Sequence, residues 1–391
     1  MSLIDKNLQN SHLSTCPKIA IIGGINIPSA SGLAYRTSPP ELWKQLSSKY
    51  NVTFLSLQLE KRFWGEDSYR KLYLKISPRL LLLIILLLRG KFHLFIVGMF
   101  SIETIITFIL SRLLRKPLIL IDEHWYWQRT LPMRFLWPVA RHIACVANAL
   151  VVSGARSKKF WETASIPAEK IRIVYFDVNM LKVEGRHIKL ARQIRESFGQ
   201  RKIVLYFGRL VKRKGVDILI RAFARYLKDS KDAVLLVAGE GPEKDNLQKL
   251  CRELGVDDKV CFVGFVDETD KPAYFLASDI FVYPSITLGM PEIWGIAVSE
   301  AMSVGKPVIV TTALGCATDL VRHGVNGYVV PEKDEVALYK AIKLILIDEG
   351  LRVAMGRASE GIIRNFSSAH SFKQFNDVVK AIVATYAKQV A

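Results

Sequence analysis

Residues 202–215 read KIVLYFGRLVKRKG: a six-residue run that is apolar after its first lysine, a glycine at the turn, and a basic loop closed by a second glycine. A short run of this kind, bounded by glycine, reads as a strand buried on both faces of a parallel sheet. The unit recurs downstream as AVLLVA at 233–238, VCFVGF at 260–265, DIFVYP at 279–284, PVIVT at 307–311 and GYVV at 327–330. Helical patterns separate these runs, for example Val216 to Leu227 and Glu243 to Leu254. Upstream, KIAII at 18–22, HLFIVGM at 93–99, PLILI at 117–121, ALVVS at 149–153 and IRIVY at 171–175 repeat the pattern, with a helical stretch from Ser101 to about Leu114. Strands alternating with helices predict an α/β fold of two doubly wound, Rossmann-like domains, with ligand in a cleft where the carboxyl ends of both sheets face each other. The charged stretch 181–201 fits a linker plus an edge helix. The boundaries expected are 1–180, 181–370, and a C-terminal helix over 371–391 that crosses back onto the first domain.

Composition narrows the class. The chain has 391 residues, half of them hydrophobic, and a net charge of +19. That apolar content excludes an intrinsically disordered chain. Mean hydropathy is high at +0.20, yet the longest unbroken apolar run, Leu80 to Leu88 between Arg79 and Arg89, falls far short of the ~20 residues a spanning helix needs. The first sixteen residues are polar, with no apolar signal core, so a cytoplasmic protein is expected. Five cysteines without a C-x-x-C pair suggest neither a disulfide framework nor a zinc site. The basic excess is uneven: +13 over residues 1–180 and +6 over 181–391. A basic surface suits nucleic acid, anionic lipid or phosphorylated substrates, and charge alone does not choose among them.

Each candidate site residue follows the carboxyl end of a strand. Gly208 turns the backbone, Arg209 follows at once, and Lys214 precedes Gly215. A fork-shaped guanidinium and an ammonium at one strand end suit a diphosphate, although a solvated basic loop would look the same. Few aromatics accompany the loop, which argues against nucleic acid as a partner. In GEGP at 239–242, Gly239 and Gly241 permit close backbone approach to a ligand, and Pro242 opens a helix. In GMPEIWGIAVSEAMSVGKPVIVT at 289–311, Gly289, Pro291 and Gly295 imply a rigid loop before a helix whose N-terminus favours phosphate. Glu292 falls in that loop and Glu300 in the second helical turn, leaning back toward the N-terminus. Carboxylates repel a diphosphate, so sugar and ribose hydroxyls are their natural partners. A surface position on an amphipathic helix is the plainer alternative for Glu300.

Together, GRLVKRKGVDILIRAF, VAGEGPEKDNLQKL, VCFVGFVDETDKPAYFLASDIFVYPS, the Glu-x7-Glu element from Glu292 to Glu300, and VRHGVNGYVV at 321–330 resemble the retaining glycosyltransferases of family 4, the glycosyl transferases group 1, which have the GT-B fold. The resemblance runs from about residue 148 to 365, with a looser match over 18–147. It implies transfer of a sugar from a nucleotide-diphosphate donor, UDP- or GDP-linked, with retention at the anomeric carbon and without a metal. By analogy Arg209 and Lys214 hold the diphosphate and Glu300 the ribose. Glu292, with backbone amides of Ile293, Trp294, Gly295 and Ile296, holds the transferred sugar. Phe262 to Val266, including Phe265, and the 239–242 loop border the base. No Asp-x-Asp tripeptide occurs that would carry a metal. The resemblance does not make Glu292 a general base, since the donor phosphate can take the acceptor proton on the same face.

In the first half, PLILIDEHWYW at 117–127 places His124 just past a strand, where the family often has a histidine that approaches the donor sugar. Asp122 and Glu123 beside it read either as helix caps or as acceptor contacts. Two loops depart from the family pattern. GGINIPSASGLAYRTSPPELW at 23–43 lacks the two-glycine phosphate turn before its helix, which affects Gly24, Gly32 and Arg36, and FDVNM at 176–180 stands where the family has an asparagine-glycine turn.

Residues 69–92 read as an apolar helix bracketed by Arg and Lys, and 129–142 mix Arg, Trp and Phe with leucine. Such faces suit shallow docking on the anionic cytoplasmic face of a membrane, or packing on the sheet. Docking would suit a lipid-linked or surface-glycan acceptor, in polysaccharide or glycolipid assembly. Two other classes share the architecture: a nucleotide-sugar 2-epimerase, which has no acceptor, and a non-catalytic nucleotide-sugar-binding subunit. The Glu292/Glu300 element disfavours the first, and the intact cation and carboxylate set the second.

Overall fold

The computed structural model describes residues 17–22, 41–56, 70–73, 76–98, 101–127, 131–176 and 178–390. Gly24, Gly32 and Arg36 lie outside the described residues. The chain divides into two compact units, one of residues 1–153, 157–176 and 368–391, the other of 154–156 and 177–367.

The first unit holds β1 (Lys18–Ile22), β2 (Asn51–Ser56), β3 (Arg70–Tyr73), β4 (Leu94–Gly98), β5 (Leu118–Asp122), β6 (Ala149–Val152) and β7 (Ile171–Ile173). They form one parallel sheet in the order β3-β2-β1-β4-β5-β6-β7. Its helices include α1 (Glu41–Lys49), α2 (Ile76–Arg89), α3 (Ile102–Leu113), α4 (Leu131–Val146) and α5 (Ala155–Thr163). The continuous apolar character of the strands has its reason in burial on both faces. Along β1, Ala20 and Ile22 pack in a core with Leu83 and Leu87 of α2, Leu110 of α3 and Ile143 of α4. The alternating Ile19 and Ile21 face a second core with Leu46 of α1, Phe375 and Val379. Residues 69–92 are therefore not one helix: Arg70–Tyr73 pairs with β2 as an edge strand, and α2 begins only at Ile76. The run of leucines that follows hides the short period-2 pattern of that strand.

The second unit contains α6 (Gly185–Ser197), β8 (Lys202–Phe207), α7 (Val216–Asp229), β9 (Ala233–Ala238), α8 (Lys244–Leu254), β10 (Val260–Gly264), α9 (Lys271–Ala277), β11 (Ile280–Tyr283), α10 (Ile296–Ser303), β12 (Val308–Thr311), α11 (Ala317–Leu320), β13 (Gly327–Val330), α12 (Glu335–Ile347) and α13 (Glu349–Ile363). Its sheet is parallel, ordered β10-β9-β8-β11-β12-β13. The order reverses between β8 and β11, the kind of switch point at which doubly wound sheets place ligands. The final helix, α14 (Ser368–Val390), returns to the first unit, where it carries Phe375 and Val379.

Two helices of the first unit, α3 and α4, share an apolar and basic outer surface. The rings of Phe108 on α3 and His142 on α4 meet edge to face at 5.9 Å. Around them Leu113 is 72% and Phe135 79% exposed, with Ile109, Leu136 and Val139 also open to solvent. Arg112 and Arg134 stand exposed among them. The one acidic residue in the sequences of α2, α3 and α4 is Glu103, and it is buried. Among the described residues, no helix is long and apolar enough to cross a membrane.

Candidate functional site

The second unit builds its site at the switch point, from loops after β8, β9, β10 and β11. Backbone hydrogen bonds stitch these loops together. Gly208 N–H donates to Ala238 O at 2.9 Å, Gly239 N–H to Gly264 O at 2.8 Å, and Leu210 N–H to Glu240 O at 2.9 Å. The approach is so close that a Cβ on Gly239, whose φ is +143°, would lie 1.9 Å from Gly208 O. Gly215, at φ +63°, is held as tightly, since its Cβ would meet Pro284 O at 2.2 Å. These glycines are required by the joining of strand-end loops, and the sequence signal for that joining is the glycine after each of β8 and β9.

Lys214 is pulled inward by this arrangement. Its side chain is 7% exposed, and Nζ donates to Glu292 Oε2 at 2.7 Å and to the Tyr283 hydroxyl. It also sits 4.6 Å from the Tyr283 ring centroid. Arg213 Nη1 donates to the same Glu292 oxygen at 2.5 Å. Burial pushes the Lys214 ammonium below the ordinary lysine range, and Arg213 and Arg209 add to the fall against the pull of Glu292. For Glu292, burial acts upward, but Lys214 and Arg213 outweigh it and hold the carboxyl below its ordinary value. Arg209 is exposed, and its guanidinium has no hydrogen-bond or ionic partner among the described residues. Lys214 and Arg213 therefore share one carboxylate at this strand end and Arg209 stands beside them, leaving a local positive excess.

Glu300 occupies the second turn of α10, as expected from its spacing, but it is no surface residue. Its side chain is 1% exposed, and Oε1 accepts from Lys271 Nζ at 2.6 Å and from Asn179 Nδ2 at 2.7 Å. Lys271 in turn lies 5.4 Å from the ring centroid of Phe207, the last residue of β8. Burial acts against the Lys271 charge, yet Glu300 and Glu268 overcome it and hold the ammonium above its ordinary value. The other oxygen, Oε2, has no hydrogen-bond partner among the described residues. Residues 179 and 181 are fastened alongside α10, with Asn179 N–H donating to Ser299 Oγ at 3.1 Å and Leu181 N–H to Ser303 Oγ at 3.0 Å.

The loop from Gly289 to Gly295 is pinned to the loop after β12. Glu292 N–H donates to Ala313 O at 3.0 Å, and Gly315 N–H to Glu292 O at 2.9 Å. Trp294 is buried, and Gly295 at φ +108° opens α10 directly at Ile296. The N–H groups of this first turn point out of the helix with its positive dipole end. Phe265, past β10, is 70% exposed.

The structure thus brings Gly208, Arg209, Lys214, Gly239, Gly241, Phe265, Glu292, Ile293, Trp294, Gly295, Ile296 and Glu300 to the strand ends of one unit. Both carboxylates are ion-paired within the unit, Glu292 with Lys214 and Arg213 and Glu300 with Lys271. Sequence reasoning passed over Arg213, Tyr283, Lys271 and Asn179. Arg213 stood beside Lys214 in the same basic loop, but nothing in the spacing of Lys271 or Asn179 announced Glu300 as a shared partner, 29 residues from the one and 121 from the other. Among the described residues there is no group of three His, Cys, Asp or Glu that could hold a metal ion.

In the first unit His124 follows β5. Its Nδ1 lies 2.6 Å from Asp122 Oδ1, and Trp161 Nε1 donates to Asp122 Oδ2 at 2.7 Å. Burial works against a charged His124 ring, but the Asp122 carboxylate outweighs it and raises the imidazole above its ordinary value. Asp122 is 1% exposed, which makes it the buried partner of His124 and not a helix cap.

Comparison with known proteins bears on the family and the fold. Residues 188–361 match the family model of the glycosyl transferases group 1. An uncharacterized glycosyltransferase of Methanocaldococcus jannaschii, MJ1607, is 29% identical over 241 residues, 60% of each chain. The GDP-mannose-dependent alpha-(1-6)-phosphatidylinositol monomannoside mannosyltransferase of Mycobacterium tuberculosis is 36% identical over 167 residues, 42% of this chain and 43% of that one. The chain therefore spans less than two thirds of the length of these relatives. Among solved structures, Anabaena Alr3699/HepE in complex with UDP superposes with a TM-score of 0.75 at 21% identity, covering 93% of this chain and 100% of that one. The fold, two doubly wound α/β units, is that of the GT-B glycosyltransferases.

Proposed function

We propose that the chain is a retaining, metal-independent glycosyltransferase, a reading supported by the match of residues 188–361 to the glycosyl transferases group 1 model. It moves a sugar from a nucleotide-diphosphate donor to a glycan or lipid-linked acceptor in polysaccharide or glycolipid assembly. The observation that carries the reading is the strand-end cation group: exposed Arg209 beside Lys214 and Arg213, with a single carboxylate among them. A diphosphate supplies the missing negative charge, and bidentate contact with Arg209 suits its geometry. The ribose diol donates to Glu300 Oε2, while Oε1 stays with Lys271 and Asn179.

In the reaction the bond from the anomeric carbon to the donor phosphate oxygen breaks, and the acceptor oxygen bonds to that carbon on the same face. The acceptor proton passes to the departing diphosphate. Negative charge grows on that diphosphate, where Lys214, Arg209 and the α10 amides stand preorganised to stabilise it. Glu292 is a poor candidate for general base, because two cations hold its carboxyl in the ionised, weakly basic form. Its place is to orient Lys214 and to receive hydroxyls of the transferred sugar. The donor is UDP- or GDP-linked, both nucleotides being named among the similar proteins. The family resemblance alone supports His124 as a donor-sugar contact, and the basic, apolar outer face of α3 and α4 docks on the anionic cytoplasmic face of a membrane. A thermal-shift screen of nucleotide sugars identifies the donor through stabilisation by mass action. The anomeric configuration of the transferred product, read by NMR, then tests retention.

A further inference from the structure

Residues Lys212–Lys214 form a single 3-10 turn after β8, closed by Gly215. Three residues per turn send neighbouring side chains about 120° apart, so two neighbours do not ordinarily meet one atom. Here they do: Arg213 Nη1 and Lys214 Nζ donate to the same oxygen, Glu292 Oε2, at 2.5 and 2.7 Å. The backbone beneath them is fastened, with Ile286 N–H donating to Arg213 O at 2.8 Å and Lys214 N–H to Val211 O at 2.9 Å. The two cations differ in setting. Lys214 is 7% exposed, whereas Arg213 is 42% exposed and reaches inward to a carboxylate that is 15% exposed. Among the described residues Lys214 and Arg213 act on Glu292 as cations, and the nearby Cys316 thiol, pushed well up by burial, stays neutral.

A buried cation that serves two anions is in conflict. A diphosphate draws on Lys214 only by weakening its hold on Glu292, and a buried carboxylate left without a cation is strongly destabilising or takes up a proton. We infer that Arg213 is a positioning residue for the transferase: it keeps the Glu292 charge as Lys214 turns its own to the donor diphosphate, so the donor binds without protonation of Glu292. The inference rests on the reading that Lys214 meets the diphosphate. An ion pair that served only the protein surface would leave donor binding and its proton balance unchanged.

The test uses the full chain, thermal melts to check folding, and the donors UDP-glucose and GDP-mannose, whose doubly esterified diphosphates do not titrate near neutrality. Calorimetry at about pH 6 in buffers of different ionisation enthalpy counts the protons taken up per donor bound. Whichever donor binds native protein, R213Q is expected to bind it about 10-fold more weakly and to take up a fraction of a proton beyond the native value. R213K is expected to restore both. In native protein the carbon-13 shift of the Glu292 carboxyl should report an ionised group with and without donor, a measurement that needs no variant. A protonated Glu292 in donor-bound native protein overturns the inference. So does weaker binding by folded R213Q without extra proton uptake, which makes Arg213 a direct diphosphate contact. Native affinity in folded R213Q overturns it as well and, where K214A binds weakly, leaves the diphosphate reading standing. Native affinity in K214A removes that reading, and the role of Arg213 with it.

Discussion

Lys214 Nζ and Glu292 Oε2 are 2.7 Å apart, which ties the basic loop after β8 to the acidic loop after β11 across the point where the strand order reverses. The pair explains how a cation can be held in a buried position beside other cations. It also explains why the carboxylate cannot be replaced without cost to the loop.

The first prediction concerns this pair. K214A should lower kcat by about 100- to 1000-fold, the loss expected for one preorganised donor to a developing charge. E292Q should leave Lys214 without its counter-charge and destabilise the fold by about 3 kcal/mol at neutral pH. Because the folded Glu292 carboxyl is held below its ordinary value of 4.5, the stability it contributes is present above pH 4.5 and lost as pH falls through the folded value. Urea unfolding of native and E292Q protein should therefore differ most near neutrality and converge in acid.

A second prediction follows from the half-used carboxylate of Glu300. If Oε2 accepts from the ribose, native protein should bind UDP or GDP about 10-fold more tightly than the 2′,3′-dideoxy nucleotide, the worth of a hydrogen bond to a charged group. E300Q should lose most of that preference. Competition binding with the paired nucleotides measures both; equal preference in native and variant would detach Glu300 from the ribose.

Gly239 supplies a third. G239A forces a Cβ to 1.9 Å from a backbone oxygen at φ +143°. It should cost more than the ~1 kcal/mol expected at Gly255, whose φ is +65° but whose Cβ would meet nothing within 4 Å. Thermal melts of G239A and G255A should show the larger drop in G239A, together with loss of nucleotide binding in that variant alone.

The outer face of α3 and α4 gives the fourth. Flotation with vesicles containing a third anionic lipid should recover native protein at low salt and progressively less as salt rises. The double variant L113E/F135E should stay in solution and melt at the native temperature, since both side chains are exposed. Recovery insensitive to salt and lipid charge would contradict electrostatic docking.

Much of this was legible before any coordinates. Strands buried on both faces advertise themselves as unbroken apolar runs, so β4, β5, β8, β9 and β11 were plain, and with them the strand ends that carry the site. Edge strand β3 was not, because Arg70 to Tyr73 is short and runs into a leucine-rich helix whose stronger signal covers it. That Arg209, Lys214 and Glu292 lie in loops after strands and Glu300 in the second turn of a helix was legible from glycine placement and helix spacing. Their pairings were not, since Glu300 with Lys271 and Asn179 are contacts set by tertiary packing and leave no periodic trace. Asp122 was visible as a residue but not as the partner of His124, because only the turn after β5 brings the two side chains to 2.6 Å.

The central claim, that the strand ends of the second unit hold a nucleoside diphosphate through the Arg209 and Lys214 cations, is tested most directly by calorimetric titration of native and K214A protein with UDP and with GDP. The account predicts saturable binding of one of them to native protein and at least a 10-fold loss of affinity in folded K214A. Binding of neither nucleotide at millimolar concentration, or equal affinity in the variant, would contradict it.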